Sequence, residues 1–284
     1  LEDVFCIEAF DNFQFVKERY IEKYLTGRKG LSIFDDRQNW QEEHCEDIRR
    51  IFSLMQEEDS GSKMRSLLAS AYLIKIEDAE GSVRFAKPSE VYAPSSDEGV
   101  DMKIYYAGQS KQWLDESFYD SQGIKRAQLK RMGVVTTPID EKERTGRGGI
   151  RVAGNSNWIA LGEYCPFIAI DGFVDNIFYI KQHIEDESAK QKSVEMLRLL
   201  LSIHRKLSGK IQVGKMNPRV HDREEAALLQ KLREKAWLYD ENDKLHCIPE
   251  ISRHNLNRML YGDLVNQREA CATLGFAGEQ GGRI

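Results

Sequence analysis

The stretch that decides the fold runs Ala71-Tyr72-Leu73-Ile74, a polar turn around Asp78 to Gly81, Val83-Arg84-Phe85, and then Lys87-Pro88-Ser89-Glu90-Val91. Far downstream a second stretch repeats its grammar. It runs Ala236-Trp237-Leu238-Tyr239, a polar turn from Asp240 to Asp243, Leu245-His246-Cys247, and Ile248-Pro249-Glu250-Ile251-Ser252. Each copy follows an amphipathic helix pattern and ends in a proline-led, acidic helix start. Pro88 and Pro249 suit the first helical position or the turn before it, where a missing amide proton costs nothing. Glu90 and Glu250 then face the positive end of the helix. Tyr72 and Leu73 match Trp237 and Leu238, which points to packing at these positions rather than to a ligand box. Repeated units of this kind build scaffolds, because each buries its apolar face partly against a neighbour. The predicted architecture is a helix-dominated α+β fold with two related lobes, each carrying a small antiparallel β-hairpin.

Working outward, the apolar periodicity assigns residues 1–135 to a first helix and hairpin lobe. Residues 136–157 read as a flexible connector, 158–277 as a second lobe, and 278–284 as a disordered tail. The first lobe opens with a helix through Phe10, Phe13, Val16, Tyr20 and Tyr24. Asp35 and Asp36 are candidate N-caps of a second helix burying Trp40, Ile48, Ile51, Phe52 and Met55. Ile104-Tyr105-Tyr106 reads as a short strand. In the second lobe the helical patterns are Ser188 to Leu207, Asp222 to Lys235 with Asp222 as cap, Ser252 to Leu260, and Gln267 to Leu274.

Composition sets the class. Of 284 residues, 41% are apolar and 31% charged, and the mean hydropathy is -0.54, which describes a globular chain rather than a disordered or membrane-embedded one. No apolar run is long enough to span a bilayer. The formal net charge of -5 gives the whole chain no electrostatic footprint for nucleic acid. The start, Leu1-Glu2-Asp3-Val4, has no initiator Met and no signal-peptide pattern, and it reads as the beginning of a fragment of a longer polypeptide. The five cysteines are scattered and never form Cys-x-x-Cys, so reduced thiols and a cytoplasmic location are expected.

The chemical motifs are incomplete. Gly209-Lys210-Ile211-Gln212-Val213-Gly214-Lys215-Met216 has the glycines and lysine of a phosphate-binding loop, but Met216 stands where the magnesium-binding hydroxyl belongs. A helical pattern precedes it where a strand is required, so it reads as a turn and a short strand. Lys142, Arg144, Arg147 and Arg151 sit among glycines. They form either a solvated connector or, with the basic stretch after His204, a loop that contacts phosphate backbones. His44 adjoins Cys45 and His246 adjoins Cys247. Neighbouring side chains diverge on a helix or strand, so neither pair has zinc spacing, and the histidines read as packing or surface residues. There is no Gly-x-Ser-x-Gly elbow. No catalytic, cofactor or metal residue is assigned, although a hydrolase assembled from distant carboxylates, Cys or His remains open.

The segments "AYLIKIEDAEGSVRFAKPSEVY", "AWLYDENDKLHCIPEIS", "EDIRRIFSLM", "EEAALLQKLR" and "FIAIDGF" are similar to long regions of bacterial sacsin-like proteins, which carry a chaperone-type GHKL ATPase domain near one end. The similarity spans most of Ile7 to Phe276. The second hairpin departs from it, with Ile248-Pro249-Glu250 in place of Pro-Ser-Glu. The resemblance implies a non-catalytic segment of a larger ATPase, with no cofactor of its own. The family's nucleotide-binding turn is absent here, and Asp171-Gly172-Phe173 is not that turn. The implied partners are a protein or adjacent domains of the same polypeptide. A DNA-defence role with nucleic-acid contact is the alternative, and no membrane partner is implied.

Overall fold

The computed structural model describes residues 12–25, 39–57, 61–77, 83–142, 150–151, 158–159, 167–207, 211–214, 221–224 and 232–278. The chain divides into two units. The first comprises Leu1–Pro94 and Gln109–Thr136, and the second Ser95–Gly108 and Thr137–Ile284. The class is helix-dominated α+β, and each unit carries an antiparallel hairpin followed by a 3-10 turn.

In the first unit, helix α1 is built from Asn12–Val16, a π-helical turn Lys17–Ile21, and Glu22–Leu25. It buries Val16, Tyr20, Ile21 and Tyr24. Helix α2, Trp40–Glu57, buries His44, Cys45, Ile48, Ile51 and Leu54 at helical spacing, and α3, Gly61–Leu68, buries Met64 and Leu68. Strands β1, Ile74–Ile76, and β2, Arg84–Ala86, pair antiparallel, with Ile74 opposite Ala86. After the 3-10 turn Pro88–Glu90, β3, Val91–Tyr92, lies parallel to β4, Gln112–Trp113. Helix α4, Glu116–Ser121, is capped by Asp115, whose side chain accepts from the Phe118 amide. Helix α5, Arg126–Met132, ends at Gly133, whose φ of 117° is left-handed. One apolar core joins all of these, from Val16 to Val134.

The second unit pairs β5, Ile139–Lys142, antiparallel with β8, Phe167–Ile170. It also holds a four-stranded antiparallel sheet of β6, Ile150–Arg151, β7, Trp158–Ile159, β9, Ile211–Gly214, and β10, His221–Glu224, in the order β10-β9-β7-β6. Helix α6, Phe173–Gln182, leads to the long α7, Glu187–Leu207, which buries Met196, Leu197, Leu200 and Leu201. Strands β11, Leu238–Tyr239, and β12, Leu245–His246, form the second hairpin, followed by the 3-10 turn Ile248–Glu250. Helix α8, Arg258–Tyr261, is capped by the Asn257 side chain, and α9, Arg268–Leu274, ends at left-handed Gly275.

Several sequence expectations need correcting. Ile104-Tyr105-Tyr106 is no strand: Met102–Tyr105 is a helical turn, because the Asp101 carboxylate accepts from the Ile104 amide and caps it. Asp222 does not start a helix; it lies in β10 opposite Val213. The helix expected from Ser252 begins only at Arg258, since residues 253–255 form a turn, with the Asn255 amide donating to the Ser252 carbonyl at 3.0 Å, and Leu256 then bridges Asp240. Residues 139–142 and 150–151, inside the expected connector, are strands. Ser95–Gly108, expected in the first lobe, belongs to the second unit. Asp35, Asp36 and residues 279–284 of the tail lie outside the described residues.

Candidate functional site

The basic residues of the nucleic-acid reading fall largely outside the described residues. Lys142 and Arg151 are placed as backbone in β5 and β6, and Arg144 and Arg147 lie outside the described residues, as does Lys215. Among the described residues, no group of three or more His, Cys, Asp or Glu is placed to hold a metal ion, and no helix is long and apolar enough to cross a membrane. The burial of Cys45 and Cys247 pushes each thiol up to about 11, away from nucleophilic use. His246 does meet a carboxylate, Asp240 Oδ2 at 2.9 Å, but within the hairpin turn that Asp240 also organises by accepting from the Asn242 and Lys244 amides.

The repeat residues, by contrast, form a framework, and the ladders set its alignment. Because Ile74 faces Ala86 and Leu238 faces His246, Ile74 corresponds to Leu238, so Leu73 rather than Tyr72 stands at the place of Trp237. Leu73 and Trp237 are fully buried, whereas Tyr72 is half-buried under the Lys87 ammonium. The expected helix starts are single 3-10 turns that lead into extended chain rather than into helices, and they too correspond. Lys87 and Cys247 are both extended residues before the turn, and Val91 and Ile251 both leave it extended, with φ of -103° and -118°. Pro88 therefore takes the first turn position and Pro249 the second. Glu90 and Glu250 share the third, where Glu250 accepts from the Cys247 amide at 3.3 Å. Hydrogen bonds from the Cys247 thiol and amide hold the Glu250 carboxyl below the usual range.

The correspondence continues past the quoted hairpins. Ile76 bridges Leu114, and Asp240 bridges Leu256, each pair antiparallel. The next residue, Asp115 or Asn257, caps a helix through its side chain, and that helix delivers Tyr119 or Tyr261. Tyr119 Oη accepts from the Lys75 amide at 2.8 Å, and Tyr261 Oη accepts from the Tyr239 amide at 3.0 Å, the equivalent strand residue. Each hydroxyl then meets a side chain of the long preceding helix: His44 Nε2 at 3.1 Å in α2, and Ser193 Oγ at 2.6 Å in α7. A left-handed glycine, Gly133 or Gly275, closes the following helix, and the chain returns to the hairpin. The Val135 amide donates to Val91 at 2.9 Å, and the Ala277 amide to Ile251 at 3.1 Å.

This arrangement has a plain physical purpose. An outward-facing strand amide must find an acceptor once it is buried, since an unpaired one costs about 1–3 kcal/mol. A tyrosine supplies that acceptor and also fills the space above the sheet. Burial raises the hydroxyl pKa of both Tyr119 and Tyr261 well above the ordinary value, so neither is poised to lose a proton. Sequence reading missed both tyrosines. The available signal was one constant offset linking Leu114 to Leu256, Tyr119 to Tyr261 and Gly133 to Gly275, with few identities between them. Tyr119→Phe and Tyr261→Phe are each expected to cost about 1–3 kcal/mol in urea unfolding, from the strand amide left unpaired. A loss below about 0.5 kcal/mol for either would show that the hydroxyl is not the acceptor its geometry suggests.

Comparison with family models, with curated proteins and with solved structures gave no match.

Proposed function

We propose that this chain is an interaction scaffold: a non-catalytic segment of a larger sacsin-like ATPase that couples the state of the ATPase to a macromolecular partner. The observation that carries the reading is the duplicated framework, in which two modules spend their buried polar groups on holding hairpin, helix and return strand together. Repetition of one module is how a chain presents a long, ordered surface to another macromolecule. Raised thiol and hydroxyl pKa values at the framework agree with a structural use of those groups.

The test is calorimetric. Titrated with the neighbouring domains of its parent polypeptide, the chain is expected to bind them; titrated with magnesium ATP, it is expected to give no heat. Micromolar ATP binding that disappears in Lys215→Ala would overturn the reading. A gel shift at low salt, falling steeply with salt and lost in Arg151→Ala, would instead transfer the function to nucleic-acid binding.

A further inference from the structure

The two modules differ at one informative place. In the second, the tyrosine hydroxyl meets Ser193, which passes its own proton to the Trp237 carbonyl at 2.7 Å and does not titrate in any ordinary pH range. In the first, the corresponding group is His44, with no exposed surface.

The directions of the hydrogen bonds around His44 follow from the donors available. Tyr24 donates its proton to Asp47 Oδ2 at 2.9 Å, so its oxygen, 2.9 Å from His44 Nδ1, accepts from that ring nitrogen. Nε2 then carries the lone pair and accepts the Tyr119 proton, while Tyr119 accepts from the Lys75 amide. The relay therefore runs one way, from Lys75 through Tyr119, His44 and Tyr24 to Asp47, and it requires a neutral ring. A proton added at Nε2 would place a donor against a donor and take from the Tyr119 proton the acceptor it now has.

Two ammonium groups, Lys23 and Lys75, already act on His44 and oppose a third positive charge there. From α1, Tyr24 meets the ring and the Lys23 charge acts on it; from β1, the Lys75 charge does; from α4, Tyr119 meets the ring; the carboxylates Glu43 and Asp47 of α2 and Asp115 at the α4 cap engage those same lysines. Lys23 already engages Glu43 at 2.7 Å and Asp47 at 2.5 Å, and Lys75 engages Asp115. Phe85 and Phe118 cover the ring, with centroids at 4.9 and 6.2 Å.

We propose that the His44 relay makes the first unit an acid-responsive element: protonation of His44 opens the packing of α1, α2 and α4, while the second unit, built on Ser193, lacks this trigger. Burial first, then the Lys23 and Lys75 charges, push His44 down to about 3. An unfolded histidine takes up its proton near pH 6.5. The contribution of His44 to stability is thus complete above about pH 6.5 and is lost as pH falls towards 3. Within that window each pH unit multiplies the opening constant about tenfold, the effect of one proton taken up on opening. Burial works to raise the Asp115 carboxyl, but its bonds from Lys75, Phe118 and Ser117 hold it below the usual range. Its own loss therefore begins only near the ordinary aspartate value of about 3.9, after most of the His44 loss.

Amide hydrogen exchange of the full chain, corrected for intrinsic chemistry, tests the proposal. Between pH 6.5 and 4.5 the opening constant of α2 and α4 peptides is expected to rise about fiftyfold, and that of α7 and α8 peptides less than about threefold. His44→Gln, whose amide can donate to Tyr24 and accept from Tyr119, is expected to flatten the α2 and α4 response. A flat wild-type response, parallel rises in both units, or a wild-type slope surviving in His44→Gln would each overturn the idea. If His44→Gln does not fold, imidazole nitrogen shifts of the wild type decide. A ring that stays neutral down to pH 4.5 in the folded chain supports the proposal; one that titrates near pH 6.5 while the unit stays folded defeats it.

Discussion

Trp237→Ala is expected to destabilise the second unit by about 3–5 kcal/mol, the range for removing a large aromatic side chain from a packed core. The indole is fully buried and meets Phe173 edge to face at 5.8 Å. Its backbone is held on both sides, the amide donating to His246 and the carbonyl accepting from Ser193. Relaxation around the resulting cavity is therefore restricted, and the cost should lie towards the upper part of the range. A loss of this size is a large share of the stability of an ordinary domain. Trp237→Phe should cost less, under about 2 kcal/mol. The ring contact survives, and the indole N–H removed is a buried donor with no partner among the described residues. Urea unfolding followed by far-ultraviolet circular dichroism gives both values. Equal losses for the two variants would show that the indole N–H has a partner that matters.

Lys192→Met is expected to cost about 2–4 kcal/mol, although Met is close to Lys in volume and flexibility. The buried ammonium donates to the Tyr105 carbonyl at 2.8 Å, the Ala107 carbonyl at 2.9 Å and Asn176 Oδ1 at 3.0 Å. Its removal strips a donor from three acceptors at once and frees the end of the helical turn Met102–Tyr105. Burial pushes the Lys192 pKa down to about 8, below its ordinary value near 10.5. The folded state thus releases this proton before the unfolded chain does, so its cost to stability eases as pH rises from about 8 towards 10. Above about pH 10 the raised hydroxyls of Tyr24, Tyr105, Tyr119 and Tyr261 act in the opposite sense, because the unfolded chain ionises first. Thermal melts across pH 7 to 10 should show the rise in the wild type and its absence in Lys192→Met. A rise that persists in the variant would assign it to another group.

The parts of this molecule legible in the sequence are those fixed by local pattern. Both hairpins show in apolar runs closed by a polar turn and a proline, and α2 and α7 show in their helical periodicity, because burial of one face imposes it. Tyr119 and Tyr261 were legible only through the constant offset between the two modules, since the backbone amide that each recognises leaves no mark of its own on the side-chain sequence. The one-residue shift between Tyr72 and Trp237 has a similar origin: apolar letters aligned the two copies, whereas ladder pairing sets the true correspondence. Lys192 looked like one of many lysines on a helix until the carbonyls it serves were in place. His44 was readable as a packed residue, but not as the counterpart of Ser193, because the two share a position and no chemistry.

The departure of the chain at Ser95 and its return at Gln109 has a consequence for biosynthesis. Segment 95–108 leaves the ribosome well before Lys192 and Glu195, whose side chains hold the Tyr105 carbonyl and the Asp101 amide. At about 5–20 residues per second, the nascent polypeptide must carry that excursion undocked for several seconds. Its first unit, meanwhile, is closed only by residues emerging after the excursion. During translation the first unit can therefore close at Thr136 while segment 95–108 still waits for its partners, and a stall between Thr136 and Lys192 would leave that segment in reach of chaperones.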